Sequence, residues 1–171
     1  LARRQPAAPE QRRRARLRPA LAGPNEVVLA FDYGAKRIGV AVGQTTTGSA
    51  SPLGAIAVHG TPDWAALERC LRDWSPARLL VGLPYNMDGT ETLLTGTCRA
   101  FATELARRFG LPVDCVDERL TPRAATADLR EARRSGARTR RVRREDIDAH
   151  AARLMLETWL RESAQSSGSS P

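Results

Sequence analysis

Val27-Val28-Leu29-Ala30-Phe31-Asp32-Tyr33-Gly34-Ala35-Lys36-Arg37-Ile38-Gly39-Val40-Ala41-Val42 is the stretch on which the fold turns. Val27–Phe31 is a continuous apolar run, too short for a helix and suited to a strand covered on both faces. Asp32–Arg37 interrupts it with polar residues and a glycine, and Ile38–Val42 resumes the apolar run. Two strands joined by a tight turn make a hairpin. The hairpin ends its first strand on an acid, Asp32, beside what must be the middle of a sheet. A carboxylate placed there is costly unless it meets a cation, a metal or hydrogen-bond donors.

Working outward, a third, edge-like strand is expected over about Leu53–Val58, giving a three-stranded antiparallel meander. The period then changes. Thr61-Pro62-Asp63-Trp64 reads as a helix start with proline in the first helical position, and Trp64, Leu67, Leu71 and Trp74 share one face before Ser75-Pro76 ends it. Arg78–Val81 is a short strand ending at Gly82. A helix over Leu93–Phe109 stops at Gly110 and Pro112, and Val113–Val116 is a fifth strand. Thr121-Pro122 starts a third helix to about Arg134, and a last helix runs from about Glu145 to Arg161. The order β-β-β-α-β-α-β-α implies an α/β domain with a mixed five-stranded sheet, helices on its faces and right-handed crossovers.

The 171 residues allow one such domain. Residues 1–25, rich in Arg, Ala and Pro, are expected to be a disordered tail, residues 26–162 the folded domain, and residues 163–171 a second disordered tail. The leader lacks the apolar segment of a secretory signal, and it contains no serine, unlike a typical transit peptide. No run approaches the roughly 18 apolar residues of a membrane span, so a cytoplasmic protein without a membrane partner is expected. Cys70, Cys98 and Cys115 form no paired motif and read as small core residues rather than disulfides or a metal site.

The charge of +8 is unevenly spread. Residues 1–25 carry a net +6 and residues 130–144 a net +7, which leaves the remainder at −5. Two basic segments flanking a mildly acidic body suit a polyanion partner. Lys36 is the one lysine beside 26 arginines, a bias that also reflects genome composition.

Three acidic positions stand out in the body. Asp32 ends the first strand. Asp117-Glu118-Arg119 ends the fifth, where strand alternation sends Asp117 and Glu118 to opposite sides, so at most one joins Asp32 directly; spacing alone does not choose between them. On the last helix, Ile147, Ala151, Leu154, Met155 and Thr158 form an apolar stripe that Trp159 extends. Asp148 lies at the edge of that stripe, and Asp146 on the polar face. Carboxylates from the first strand, a later strand end and the final helix can converge on one pocket, a set that suits the hard ions Mg2+ or Mn2+. Two such ions could drive in-line attack on a phosphodiester. His59 and His150 are poorly placed as ligands.

Four segments together resemble the YqgF/RuvX family: Asp32–Ala41, Gly82-Leu83-Pro84-Tyr85-Asn86-Met87-Asp88-Gly89-Thr90-Glu91, Asp117-Glu118-Arg119-Leu120-Thr121, and Asp148-Ala149-His150-Ala151-Ala152. The resemblance covers about residues 26–160. It implies a ribonuclease H-like fold, metal-dependent phosphodiester hydrolysis and 5'-end processing of pre-16S rRNA, in a group related to Holliday-junction resolvases. It also implies that the acidic, metal-holding trio is Asp32, Glu118 and Asp148, choosing Glu118 over Asp117.

Around that trio, Lys36, Arg37, Asn86, Asp88 and Arg119 are candidate nucleic-acid contacts, although Asp88-Gly89 also reads as a simple turn. Arg138, Arg140 and Arg141 in the basic segment should grip backbone phosphates non-specifically. Expected partners are RNA, namely pre-16S rRNA on the assembling ribosome, or branched DNA, with the chain a monomer or weak homodimer. The rival readings are a DNA junction resolvase using the same site, and a non-catalytic RNA-binding assembly factor. An actin-like ATPase is a poor match, since the chain has one lobe and no second phosphate motif.

Overall fold

A computed structural model describes residues 23–120 and 144–167. Strand β1 (Val27–Tyr33) turns into β2 (Arg37–Gln44), which turns into β3 (Ser49–His59) and a two-residue β4 (Thr61–Pro62). Helix α1 (Trp64–Trp74), β5 (Arg78–Leu83), α2 (Leu93–Phe109) and β6 (Val113–Asp117) follow. A 3-10 turn over Glu118–Leu120 comes next, and α3 (Arg144–Ser167) is the last described element. The sheet order is β4-β3-β2-β1-β5-β6. The β1–β4 meander is antiparallel, whereas β5 pairs with β1 and β6 with β5 in parallel. Five principal strands in a mixed sheet match the expectation, and β4 adds a short sixth at the edge.

That edge differs from the sequence reading for a local reason. Gly60, at φ 76°, reverses the chain, so Thr61 and Pro62 pair back onto His59 and Val58 instead of opening a helix. The helix cap is Asp63, whose carboxylate accepts from the Ala66 amide at 3.0 Å. Helix α2 begins and ends as expected, between a Thr92–Thr95 capping box and Gly110 at φ 65°.

Period-two alternation along the strands creates two cores. On one face Leu29, Phe31, Tyr33, Ile38, Val40, Leu79, Val81 and Leu83 pack against α1 and α2. Phe31, wholly buried, meets Phe101 edge-on at 5.9 Å; burying a ring of this size stabilises by about 1.5–3 kcal/mol. Cys98 lies in this core, Cys70 and Cys115 pack against it, and all three are free thiols. On the other face Val28, Ala30, Ala41, Leu80 and Val116 meet Ala152, Met155, Leu156, Trp159 and Leu160 of α3.

Two expectations change at α3. Of the expected stripe, Leu154, Met155, Thr158 and Trp159 are buried, while Ile147 and Ala151 are half-buried, and the residues against the sheet are Ala152, Met155, Leu156, Trp159 and Leu160. The stripe is rotated from the expected one because Leu156 and Leu160 also seek the sheet, and Asp148, one turn before Ala152, sits in line with it. The helix also continues to Ser167, with Ser163 buried, so residues 163–167 are helical and not a disordered tail. Leu160, Ser163 and Ala164 line a cleft with Gly23, Pro24, Asn25, Thr45 and Thr46. The expected helix from Thr121 to about Arg134, the basic segment at Arg138, Arg140 and Arg141, and residues 1–22 lie outside the described residues. Among the described residues no helix is long and apolar enough to cross a membrane.

Candidate active site

Alternation decides which acids can meet. Val28 and Ala30 face α3, so Asp32, two residues further on, faces it as well. On β6, Val116 belongs to the α3-side core, so the next residue on that side is Glu118 and Asp117 points the other way. The structure thus brings Glu118 to Asp32, the choice that strand spacing left open.

Gly82 makes their meeting possible. A Cβ there would stand 2.5 Å from Glu118 Oε1 and 3.0 Å from Met155 Sδ, so the Glu118 side chain lies in the space a side chain on β5 would fill. It is hydrogen-bonded to Asp32. Burial first, then the Asp32 charge and that hydrogen bond, then the charge of Asp117, push the Glu118 carboxyl up to about 8. Two carboxylates in one partly buried site cannot both ionise cheaply, so the pair holds a proton or attracts a cation. Oxygen donors of this kind fit a hard divalent ion.

Asp148 arrives from α3 over a second glycine. Gly39 is the cross-strand partner of Asp32, and a Cβ on it would overlap the Asp148 carbonyl. The helix backbone therefore rests directly on β2 beside Asp32. The Asp148 carboxylate accepts from Arg37 Nε at 2.9 Å. Among the described residues no three His, Cys, Asp or Glu side chains converge closely enough to hold a metal together. The expected trio is thus assembled on one face as a bonded pair, Asp32 and Glu118, with Asp148 nearby in the grip of Arg37. Asp146 is exposed on the helix, as expected.

The other predicted contacts are placed differently. Arg119 chelates Asp117, donating through Nε at 3.0 Å and Nη2 at 2.6 Å. Its guanidinium lies 5.4 Å from the Tyr85 ring and its Nη1 reaches the Asn86 carbonyl at 3.5 Å. Burial acts to raise the Asp117 pKa, but the Arg119 hydrogen bonds and charge outweigh it and hold that carboxyl below its ordinary value. Asn86 Nδ2 donates to Thr90 Oγ1 at 2.8 Å, and Asp88 accepts from the Thr90 amide and hydroxyl. These bonds hold Asp88 below the usual carboxylate range and shape a turn at Asp88-Gly89. Lys36 is exposed, and its carbonyl accepts from the Val58 amide at 2.9 Å.

Sequence reasoning assigned no role to Gly39 or Gly82. The available signal was glycine inside a strand, which marks close approach by another group. Tyr85 and Arg99 were also passed over; Arg99 Nη2 donates to the Tyr85 hydroxyl at 2.7 Å and to Glu91 at 2.9 Å, bracing the loop after β5.

The chain is similar to known proteins over most of its length. Residues 26–162 match the RuvX family, described as Holliday junction resolvase. A protein of Histophilus somni (strain 2336) named "Putative pre-16S rRNA nuclease" is 47% identical over 138 residues, 80% of this chain and 95% of that one. One of the same name from Yersinia pestis (strain Pestoides F) is 46% identical over 141 residues, 82% of this chain and 98% of that one. The structure is similar to T. thermophilus RuvC in complex with Holliday junction substrate, with TM-score 0.51 and 18% identity, over 80% of this chain and 96% of RuvC; at that identity the likeness concerns the fold. With a ribonuclease H-like sheet carrying an acidic pair at the carboxyl ends of β1 and β6, the chain belongs to the RuvX family and is a nuclease, a hydrolase of ester bonds.

Proposed function

We propose that this chain is a metal-dependent endonuclease of the cytoplasm that processes the 5' end of pre-16S rRNA, with Asp32, Glu118 and Asp148 as its acidic groups. The observation that carries the reading is the hydrogen-bonded Asp32–Glu118 pair over Gly82, with Asp148 seated on Gly39 beside it. Like-charged oxygens held this close favour capture of Mg2+ or Mn2+. When bound, such an ion would supply Lewis-acid charge and a water of lowered pKa for in-line attack on phosphorus. The chain's own residues do the rest. Asp32 and Glu118 would hold the ion, Glu118 as a carboxylate, and α3 carries Asp148 to the same face. Lys36 and the basic segment with Arg138, Arg140 and Arg141 attract the phosphate backbone. The substrate assignment follows the names of the Histophilus and Yersinia relatives. Branched DNA is the second reading, favoured by the description of the family.

The test is cleavage of a labelled pre-16S rRNA fragment and of a four-way DNA junction by wild type and Asp32→Asn, each with Mn2+, Mg2+ or EDTA. RNA cutting that needs metal and falls at least about 1000-fold in the variant is expected, the scale of losing one member of a catalytic unit. Cutting of the junction alone would move the assignment to DNA. A folded wild type that binds RNA in Mn2+ without cutting either substrate would point to an assembly factor.

A further inference from the structure

The turn between β1 and β2 is built around Arg37. Gly34 donates its amide to the Arg37 carbonyl at 2.8 Å, and a Cβ on Gly34 would crowd that same oxygen at 2.9 Å. Lys36, next to it, is tied to β3 through the Val58 amide. Arg37 is therefore held at the start of β2, two residues before Gly39, and alternation puts both on the α3 side of the sheet. Gly39 receives the backbone of Asp148, and Arg37 Nε donates to its carboxylate at 2.9 Å. One strand thus fixes Asp148 twice, by backbone seat and by side-chain charge.

We infer that Arg37 is a positioning residue that sets the orientation of the Asp148 carboxylate beside Asp32, and is not a phosphate contact. The inference rests on the proposed nuclease reading of this site. Two observations carry it. The two side chains are 30% and 33% exposed, and a pair this open contributes little to folding, so what the contact supplies is geometry. The donor is Nε, the side-on edge of a planar fork, and a lysine ammonium cannot reproduce that edge.

The experiment uses the full chain and Mn2+ itself as probe. Mn2+ affinity is measured by calorimetry for wild type, Asp32→Asn, Arg37→Gln, Arg37→Lys, Asp148→Asn and Arg37→Gln/Asp148→Asn. RNA affinity against salt is measured in the Asp32→Asn background. Arg37→Gln should weaken Mn2+ binding at least about 10-fold, as loss of an orienting partner does. It should lower kcat on the RNA fragment with little change in KM, and leave the salt slope of RNA binding unaltered. Arg37→Lys should recover only part of the Mn2+ affinity, and Arg37→Gln should add nothing to Asp148→Asn. Unchanged Mn2+ affinity in Arg37→Gln would overturn the inference. So would full recovery by lysine, or an RNA salt slope reduced by about one unit, the mark of a lost phosphate contact. If wild type shows no Asp32-dependent Mn2+ binding, the nuclease reading falls and the inference falls with it.

Discussion

The α3-covered face of the sheet buries charge at both ends, and the two ends handle it in opposite ways. At the amino end of β5, Arg78 is 7% exposed and lies between two acids, Glu26 at 3.2 Å and Asp114 at 2.9 Å, with Trp159 beneath it at 6.0 Å. Burial raises the Asp114 pKa, and Arg78 acts against that rise. At the carboxyl end, Asp32 and Glu118 meet each other, and Glu118 is pushed up to about 8. Both clusters draw on β1, β5 and β6, Glu26 standing just before β1 and Asp32 near its carboxyl end. One brings its own cation and is a structural staple; the other brings acid against acid and suits a cation from solution. Buried charge marks a functional site when the chain leaves the balance to something else.

The largest expected effect tests the staple. Arg78→Met leaves the half-buried Glu26 and Asp114 without their buried cation and should destabilise by about 3 kcal/mol, read from urea unfolding. Cleavage by the folded fraction should be unchanged; a loss of turnover at constant stability would show that the two ends are not separate. Next, Gly82→Ala places a methyl where Glu118 Oε1 and Met155 Sδ lie. Overpacking of this kind costs about 1–3 kcal/mol, and here it should also displace Glu118 and cut Mn2+ affinity. An alanine variant with wild-type metal affinity would mean that Glu118 need not lie over β5.

The most gradual effect is a slope in pH. In the unfolded chain the Glu118 carboxyl titrates near its ordinary value of about 4.3, and in the fold it holds its proton to about 8. Between those values the folded state binds more protons than the unfolded one, so the stability of the metal-free protein should fall as pH rises through that window. Glu118→Gln should flatten this part of the profile, and Mn2+ should release a proton on binding at neutral pH, measurable by calorimetry in buffers of different ionisation enthalpy. A wild-type profile that rises with pH over the same window would contradict the shared-proton pair.

Much of this was open to a reader of the chain. The apolar run before Asp32, the capped α2 and the stop at Gly110 are local signals whose causes lie within a few residues. They placed the five principal strands, the two helices between them and the last helix, and they put Asp32, the Asp117-Glu118 pair and Asp148 on their elements. The misreadings arose where a local signal competed with a distant one. Pro62 is a good first helical residue, yet the reversal at Gly60 hands it to a strand. The serine-rich sequence after Arg161 reads as a tail, yet α3 continues through Ser167 with Ser163 buried. Nor does any local pattern name the partners that the fold gives to the side chains of Arg37, Arg119 and Asp88, which are Asp148, Asp117 and Thr90.

By itself the sequence determined the periods: alternation along β1, β2, β5 and β6, the helical repeat of α3, and the acids standing at strand ends and on that helix. These follow from the covalent geometry of the backbone and need no partner. Only the tertiary structure decided that Glu118 and not Asp117 reaches Asp32, that Gly82 makes room for it, and that Asp148 is seated on Gly39 and held by Arg37. Those outcomes depend on strand register and on how closely a helix can approach a sheet. Register and approach are set by contacts between residues as far apart in the chain as Arg37 and Asp148, which no local pattern encodes.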